Sequence, residues 1–129
     1  MKRDIELVRE ILLWMEEQAN GRNVNTWDFD IPERTKKEIG YHAYLMHQAG
    51  LIIAYDGTPI EADTPNWIPS MITWAGHEFL AASRDTGLWE KAKKNVIGPA
   101  VGLSFTLLLE YLKEEGKRHL GIGGAGSSN

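Results

Sequence analysis

The chain has 129 residues, a formal net charge of −4, 43% hydrophobic residues and no cysteine. This length and composition predict one globular domain that can bury a core without covalent cross-links. The lack of cysteine excludes disulfides, thiolate metal sites and cysteine nucleophiles, and it suits a cytoplasmic protein. The acidic balance gives no overall indication of nucleic-acid binding.

The opening residues 1–4 lead directly into a charged amphipathic segment, and no apolar core of a signal peptide follows them. The longest apolar stretch, residues 101–109, is far shorter than the roughly 20 residues that span a bilayer. We therefore expect no membrane partner.

The first predicted elements are a helix and a strand. Helical spacing of apolar residues predicts a helix over residues 4–18, with Asp4 as its N-cap. Residues 25–31 alternate apolar and polar side chains, which predicts a half-buried strand. Pro32 ends this strand because it cannot donate a backbone hydrogen bond.

A second helix and a hairpin come next. The pattern predicts a helix over residues 33–48, with Gly50 in a left-handed conformation after it. Residues 51–55 and 67–72 are predicted strands, joined by a loop rich in turn-forming residues. Pro69 favours an edge position for the second strand.

The C-terminal part is predicted to be helical. Thr73 is the expected N-cap of a third helix over residues 74–83. A break at residues 85–87 precedes a short basic helix or turn over residues 88–96, and Ser104 is the expected cap of the last helix.

These elements predict an α+β fold that is mainly helical, with a small antiparallel sheet of three strands. Residues 1–83 are the predicted core, residues 84–120 a C-terminal helical extension of the same domain, and residues 121–129 a flexible glycine-rich tail. The residues expected to be buried in the core are Leu12, Ile39, Met46, Leu51, Phe79 and Leu80.

Two motifs resemble winged-helix proteins. "YHAYLMHQAGLI", residues 41–52, resembles the end of the recognition helix in winged-helix repressors. "ITWAGHEFL", residues 72–80, resembles the join between the wing and the following helix. The resemblance implies a winged-helix-like domain in which residues 33–48 form the recognition helix. The supporting helix of a helix-turn-helix would fall near residues 26–33, where the sequence instead predicts a strand.

A wider resemblance covers about residues 1–122. The segments "MKRDIELVREILLWMEE", "WAGHEFLAASRDTGLWEKAK" and "LLLEYLKEEGKRHLGI", with the central motif, look like a family of small phage and prophage proteins. That family is catalogued as domain of unknown function 2513. The resemblance implies a bacterial or phage source and carries no assigned activity, so it transfers no catalytic residues.

The distribution of charge bears on DNA binding. The predicted wing, residues 51–70, has Asp56, Glu61 and Asp63 and no basic residue, which is a charge of −3. Such a wing is repelled by phosphates at short range. If the resemblance to repressors holds, the exposed base-reading positions would be Lys36, Lys37, Gly40, Tyr41 and Tyr44. The candidate nucleic-acid-binding residues are Arg34, Lys36, Lys37, Tyr41, Tyr44, Lys91, Lys93 and Lys94.

The sequence predicts no catalytic residue, metal ligand or cofactor. His42 and His47 are separated by about 140° around a helix, so they do not share a face. His77 and Glu78 lack the second histidine of a zinc-protease helix. Packing inside the protein is the better interpretation of His42.

The sequence therefore predicts a non-catalytic, phage-type, winged-helix-like module that acts as an adaptor for an unidentified protein partner. The alternative is a DNA-binding transcriptional regulator that uses the helix over residues 33–48. A homodimer is expected because the first and last helices carry apolar arcs wider than one face. The predicted dimer contacts are Leu7, Ile11, Trp14, Leu107 and Tyr111.

Overall fold

The described part of the chain is mainly helical. A computed structural model describes residues 1–19, 30–97 and 105–120. Within these ranges the elements are α1 (Ile5–Ala19), α2 (Lys36–Gln48), β1 (Ile52–Asp56), β2 (Trp67–Ile72), α3 (Trp74–Ser83), α4 (Thr86–Ala92), a π turn (Lys93–Ile97) and α5 (Phe105–Leu120). The predicted mixed α+β, mainly helical class is confirmed.

The chain divides into two units, Met1–Leu80 and Ala81–Asn129. The first unit contains α1, α2, the β1–β2 hairpin and most of α3. The second contains the end of α3, then α4, the π turn and α5.

The start of α1 confirms Asp4 as its N-cap. Asp4 Oδ1 accepts hydrogen bonds from the backbone N–H groups of Glu6 and Leu7, at 3.0 and 3.3 Å. These bonds satisfy donors that have no partner inside the helix. The helix packs against α2 and β2. Its buried apolar side chains are Ile5, Leu7, Val8, Ile11, Leu12 and Met15.

The start of α2 corrects the prediction. The helix begins at Lys36 rather than at residue 33. Glu33 has a φ of 66°, which is incompatible with a right-handed helix. Thr35 then caps the helix: its side chain accepts the N–H of Glu38, and the Glu38 carboxylate accepts the N–H of Thr35. This reciprocal pair is a capping box, and it sets the first helical turn.

The hairpin follows α2 with little intervening chain. Gly50 has a φ of 78°, which confirms the predicted left-handed position. β1 and β2 are antiparallel, and the register passes from Ile53 opposite Met71 to Ala54 opposite Pro69. Ser70 is therefore the extra residue of a bulge. Pro69 lies beside it and has no backbone N–H, so it could donate no hydrogen bond to the other strand. The strand predicted over residues 25–31 lies outside the described residues, except for positions 30 and 31, which are in no strand.

Thr73 joins the hairpin to α3. Its N–H donates to the carbonyl of Leu51 at 3.1 Å, and its hydroxyl donates to the carbonyl of Gly50. The same hydroxyl oxygen accepts the N–H of Gly76 at 3.1 Å, which confirms Thr73 as the N-cap of α3. A Cβ atom at Gly76 would lie 2.1 Å from the carbonyl oxygen of Leu51, so only glycine allows this close approach.

The predicted core is confirmed. All six residues expected to be buried are at most 2% exposed: Leu12, Ile39, Met46, Leu51, Phe79 and Leu80. They come from α1, α2, the start of the hairpin and α3, as the apolar stripes in the sequence indicate.

The second unit begins its next helix earlier than predicted. α4 starts at Thr86 because Asp85 caps it, accepting the N–H of Leu88 at 3.0 Å. α4 packs against α5. The buried side chains on these two helices include Trp89, Ala92, Leu108 and Leu112. Residue 104, the predicted cap of the last helix, and the tail over residues 121–129 lie outside the described residues.

Candidate interaction face

The outward side of α2 carries aromatic and polar side chains. Ile39, Ala43 and Met46 are buried on the inward side. Spacings of four, three and four residues place a second set on the opposite side of the helix. This set is Lys37, Tyr41, Tyr44 and Gln48.

Four rings form what we call the aromatic face, which consists of Tyr41, Tyr44, His47 and Trp67. The ring centroids of Tyr44 and Trp67 are 5.6 Å apart, and those of His47 and Trp67 are 5.1 Å apart. Tyr41 continues the row, 6.2 Å from Tyr44. Both tyrosines and Trp67 are half-buried, and His47 is exposed. Each tilted pair has the geometry in which aromatic rings attract one another.

Three contacts hold the loop of the hairpin and the start of β2 along α2. Lys37 Nζ lies 3.5 Å from Asp63 Oδ1. One turn further, Asn66 packs so closely on Gly40 that a Cβ there would lie 1.9 Å from Asn66 Oδ1. Trp67 then reaches the rings near the C-terminal end of the helix. The interpretation of Gly40 as an exposed base-reading position is therefore wrong, because Asn66 covers it.

The loop between the strands is ordered and acidic. The N–H of Asn66 donates to Thr58 Oγ1 at 2.9 Å, and the N–H of Gly57 donates to the carbonyl of Asn66 at 3.1 Å. The side chain and backbone N–H of Thr58 donate to Asp56 and lower the pKa of that carboxyl. Asp56, Glu61 and Asp63 are all exposed, so the hairpin presents three negative charges to solvent, and Asp63 lies against Lys37 of α2.

A second polar cluster joins the starts of α1 and α2. His42 is buried, and its Nδ1 donates to the carbonyl of Glu38 at 2.9 Å. Its Nε2 then has to be the acceptor for the backbone N–H of Asp4, at 2.8 Å. Arg34 bridges two carboxylates, with NH1 2.7 Å from Asp4 Oδ2 and Nε 3.0 Å from Glu10 Oε1.

This cluster shifts the pKa of two groups. Burial lowers the pKa of His42 below 6.5, so the ring stays neutral and can accept from Asp4. Burial alone raises the pKa of Asp4, but hydrogen bonds from Arg34, Leu7 and Glu6 and the charge of Arg34 outweigh it. The pKa of Asp4 is therefore lowered from 3.8. The hydrogen bonds and ion pairs of His42, Arg34 and Asp4 tie the start of α1 to the start of α2, which is a structural role.

Two of the three predicted DNA-contacting cations of the first unit, Arg34 and Lys37, are paired with acids. Arg34 is half-buried in its pairs with Asp4 and Glu10. Lys37 pairs with Asp63. Lys36 is exposed on the first turn of α2. Tyr41 and Tyr44 lie on the outward side of α2, where both are half-buried.

The other predicted cations belong to the second unit. Lys91 lies 2.9 Å from Glu115, and Lys93 lies 3.2 Å from Glu90. The Glu115 carboxylate raises the pKa of Lys91. Lys94 is exposed on the π turn. A cleft of about 250 Å³ in this unit is lined by Asp85, Gly87, Leu88, Lys91, Glu115 and Arg118.

The predicted dimer contacts differ in exposure. Leu7 and Ile11 are fully buried within the chain, so their side chains cannot reach a partner without unfolding. Trp14 and Tyr111 are half-buried, and the Tyr111 hydroxyl accepts a hydrogen bond from Asn95 Nδ2 at 3.0 Å. Leu107 is 60% exposed and is the predicted contact with the most accessible surface.

The histidines and the helices bear on metal binding and on membrane insertion. Among the residues that the structure describes, no group of three or more His, Asp or Glu side chains could hold a metal ion. No helix in the same part of the chain is long and apolar enough to cross a membrane. His42 and His47 lie on different sides of α2, as their spacing predicts.

Sequence reasoning missed the part played by Trp67. The sequence predicts Trp67 as the first residue of a strand but does not predict its ring partners, because its contacts with Tyr44 and His47 join residues 20 or more positions apart. The nearest local signal was the pair of tyrosines three residues apart on the polar side of α2, which indicates an aromatic surface but not what packs beside it.

Comparisons with known proteins give relatives without an assigned activity. The model of the family described as "Hypothetical protein (DUF2513)" matches residues 2–102. An uncharacterised protein of Haemophilus influenzae is 32% identical over 108 residues, which cover 81% of this chain and 86% of that protein. No solved structure matches the chain.

Proposed function

We propose that this chain, which belongs to the DUF2513 family, is a non-catalytic module that binds a protein partner. The proposal rests on the surface of the chain itself, because no activity is described for the family. The partner docks on the aromatic face of α2 and β2. The observation that carries the proposal is a row of partly accessible rings beside an ordered loop, on the outward side of a helix whose inward side is fixed in the core.

The composition of the face supports a protein partner. Tyrosine and tryptophan are enriched at the centres of protein interfaces, where they supply contact area at low entropic cost. Here Trp67 packs against Tyr44 and His47, so these rings are already ordered before binding. The hydroxyl of Tyr44 also accepts a hydrogen bond from Gln48 at 3.2 Å. Such preorganisation lowers the entropic cost of association.

The charges around α2 argue against DNA as the partner. Phosphate binding needs accessible lysine and arginine side chains. Arg34 is held between Asp4 and Glu10, and Lys37 faces Asp63. The acidic loop also lies along α2, where it would meet the phosphate backbone if the helix entered a groove. A DNA-binding regulator remains the alternative function, supported by the order of a helix followed at once by a hairpin.

We also propose that the first unit is winged-helix-like and that the chain has a phage or prophage source. The proposals rest on the order of α1, α2, β1, β2 and α3 and on the two motifs over residues 41–52 and 72–80. An experimental structure and the genes that flank the coding sequence test these two proposals separately.

Site-specific photo-crosslinking tests the protein partner. A benzophenone amino acid replaces Gln48, which is exposed beside the aromatic face, and in a matched control it replaces Lys113, which is exposed on α5. We expect one recurrent protein adduct from position 48 in cells of the source organism. The adduct should be lost with Tyr44→Ala, and position 113 should not give it. Equal adducts from both positions would overturn the proposal.

A gel-shift series with random duplex DNA over a range of salt tests the alternative. We expect no shift that depends on salt. A shift that weakens with salt and is reduced in a Lys36→Gln, Lys37→Gln double variant would replace the adaptor function with DNA binding.

A further inference from the structure

The surroundings of the aromatic face carry an excess of negative charge. Residues 51–83, which form the hairpin and α3, contain four carboxylates and no lysine or arginine. On the first turn of α2 and between residues 56 and 63 of the hairpin, two cations are opposed by four acids. The cations are Lys36 and Lys37, and the acids are Glu38, Asp56, Glu61 and Asp63.

We propose that the segment bound by the aromatic face carries arginine side chains. This inference rests on the proposed function and names the chemistry of its partner. A guanidinium group is planar, stacks on the faces of tyrosine and tryptophan, and forms bidentate hydrogen bonds to carboxylates. The aromatic face and the acidic loop supply both kinds of partner, since the contact between Lys37 and Asp63 brings the loop onto α2.

The ring geometry sets where a guanidinium stacks. Trp67 lies next to Tyr44 and His47, with tilted rather than parallel rings. This tilt leaves part of each ring surface accessible at the edge of the cluster, which agrees with the half-buried state of Tyr44 and Trp67. Trp is the strongest ring partner of a cation, followed by Tyr.

Asp63 is the carboxylate best placed to exchange its lysine partner for an incoming guanidinium group. Its pair with Lys37 joins two exposed side chains, 84% and 59% accessible, at 3.5 Å. Exposed ion pairs of this kind contribute little to stability. An incoming guanidinium can therefore replace Lys37 at Asp63 without disturbing the core. By contrast, the pairs of Arg34 are more buried and hold α1 and α2 together.

Peptide binding to the full chain tests the inference. The probes are three fluorescent Gly-Ser peptides of equal length that carry four arginines, four lysines or four glutamates at the same positions. Anisotropy is measured at low salt, about 20–50 mM, where exposed charges are weakly screened. We expect the arginine peptide to bind more tightly than the lysine peptide, and the glutamate peptide not to bind.

Variants separate stacking from charge. Tyr44→Ala should weaken binding of the arginine peptide by roughly fivefold, the scale of one exposed cation–π contact. Asp63→Asn should weaken it and reduce its salt dependence. The matched control is Glu114→Gln, which removes an exposed carboxylate from α5 and should leave binding unchanged. Circular dichroism of each variant establishes that the fold is retained.

The outcomes distinguish this inference from the proposed function. Equal binding of the arginine and lysine peptides, or equal losses with Asp63→Asn and Glu114→Gln, would show only general attraction to an acidic protein and would overturn the inference. A crosslinked partner whose adduct maps to a segment without arginine would overturn it as well, while leaving the protein-binding function intact. Absence of both peptide binding and a position-48 adduct would overturn both.

Discussion

His42 joins two helices through the two nitrogens of one neutral ring. Nδ1 donates within α2 to Glu38, and Nε2 accepts the N–H of Asp4 at the start of α1. A proton added to Nε2 would place a donor against a donor in a buried position. The pKa of His42 is lowered, mainly by burial, so the folded protein keeps the ring neutral.

We predict that stability falls as the pH drops below about 6.5, the ordinary pKa of histidine. The unfolded chain takes up a proton at His42 before the folded chain does, so protonation favours unfolding in this range. The stabilisation is fully present above pH 6.5 and is lost as the pH falls towards the lowered folded-state pKa. Urea unfolding followed from about pH 8 to about pH 5 measures it.

The matched variant for this prediction is His42→Gln, which keeps an oxygen acceptor but does not titrate. Its free energy of unfolding should depend less on pH than that of the wild type over the same range. Asp4 adds nothing to the slope there, because its pKa is below 3.8. The same pH dependence in both proteins would contradict the assignment to His42.

Asp4 performs two tasks that substitutions can separate. Asp4→Ala removes the N-cap of α1 and the ion pair with Arg34, and we expect a loss of about 1–2 kcal/mol. Asp4→Asn keeps a side-chain oxygen for the N–H groups of Glu6 and Leu7, so its loss should be smaller. Urea denaturation of both variants gives the difference. An asparagine variant as unstable as the alanine variant would mean that the ion pair, not the cap, stabilises the helix.

At the scale of elements, the close approach of α3 to Leu51, the residue before β1, depends on a single glycine. Gly76 places the first turn of α3 against the Leu51 carbonyl, where backbone atoms cannot move aside as a side chain can. The capping bonds of Thr73 fix the same turn, so the helix cannot shift to make room.

We predict opposite effects for alanine at two helical glycines. Gly76→Ala should destabilise the protein by about 1–3 kcal/mol, because its Cβ would meet the Leu51 oxygen at 2.1 Å. Gly116→Ala on α5 should be neutral or stabilise by up to about 1 kcal/mol, since a Cβ there would meet nothing within 4 Å beyond the adjacent helical backbone, and alanine favours helix. Thermal unfolding of both variants provides the comparison, and a Gly76→Ala protein as stable as the wild type would rule out the close contact.

At the scale of the whole molecule, the prediction concerns the association of two copies. Leu7 and Ile11 are covered within one chain, so the predicted dimer has to rely on α5, where Leu107 is 60% exposed. Closed two-fold pairing is the commonest arrangement that buries such a surface. The homodimer stays a prediction, with α5 as its interface.

Light scattering coupled to gel filtration tests the dimer. We expect about twice the monomer mass of 14.5 kDa for the wild type. Leu107→Glu should give the monomer mass, because it places a charge in the interface without touching the core. Lys113→Glu, an exposed position on another side of α5, is the matched control and should stay dimeric. A monomeric wild type would contradict the prediction.

Much of the secondary structure could be read from the sequence, because it depends on neighbours in the chain. The caps at Asp4 and Thr73 and the left-handed Gly50 follow from side-chain and backbone chemistry within a few residues. The core residues follow from the spacing of apolar side chains. The start of α2 was missed because Glu33 adopts a left-handed conformation that is rare outside glycine and asparagine.

Only the tertiary structure decided which apolar and charged surfaces remain available. The sequence pattern of a wide apolar arc on α1 does not show whether a partner or the chain's own α2 and β2 covers it. In the structure, Leu7 and Ile11 are buried within the chain. Likewise, the sequence around Lys37 gives no sign that its side chain pairs with Asp63, which lies 26 positions away. These contacts join segments distant in sequence, and local periodicity carries no information about which distant segment packs where.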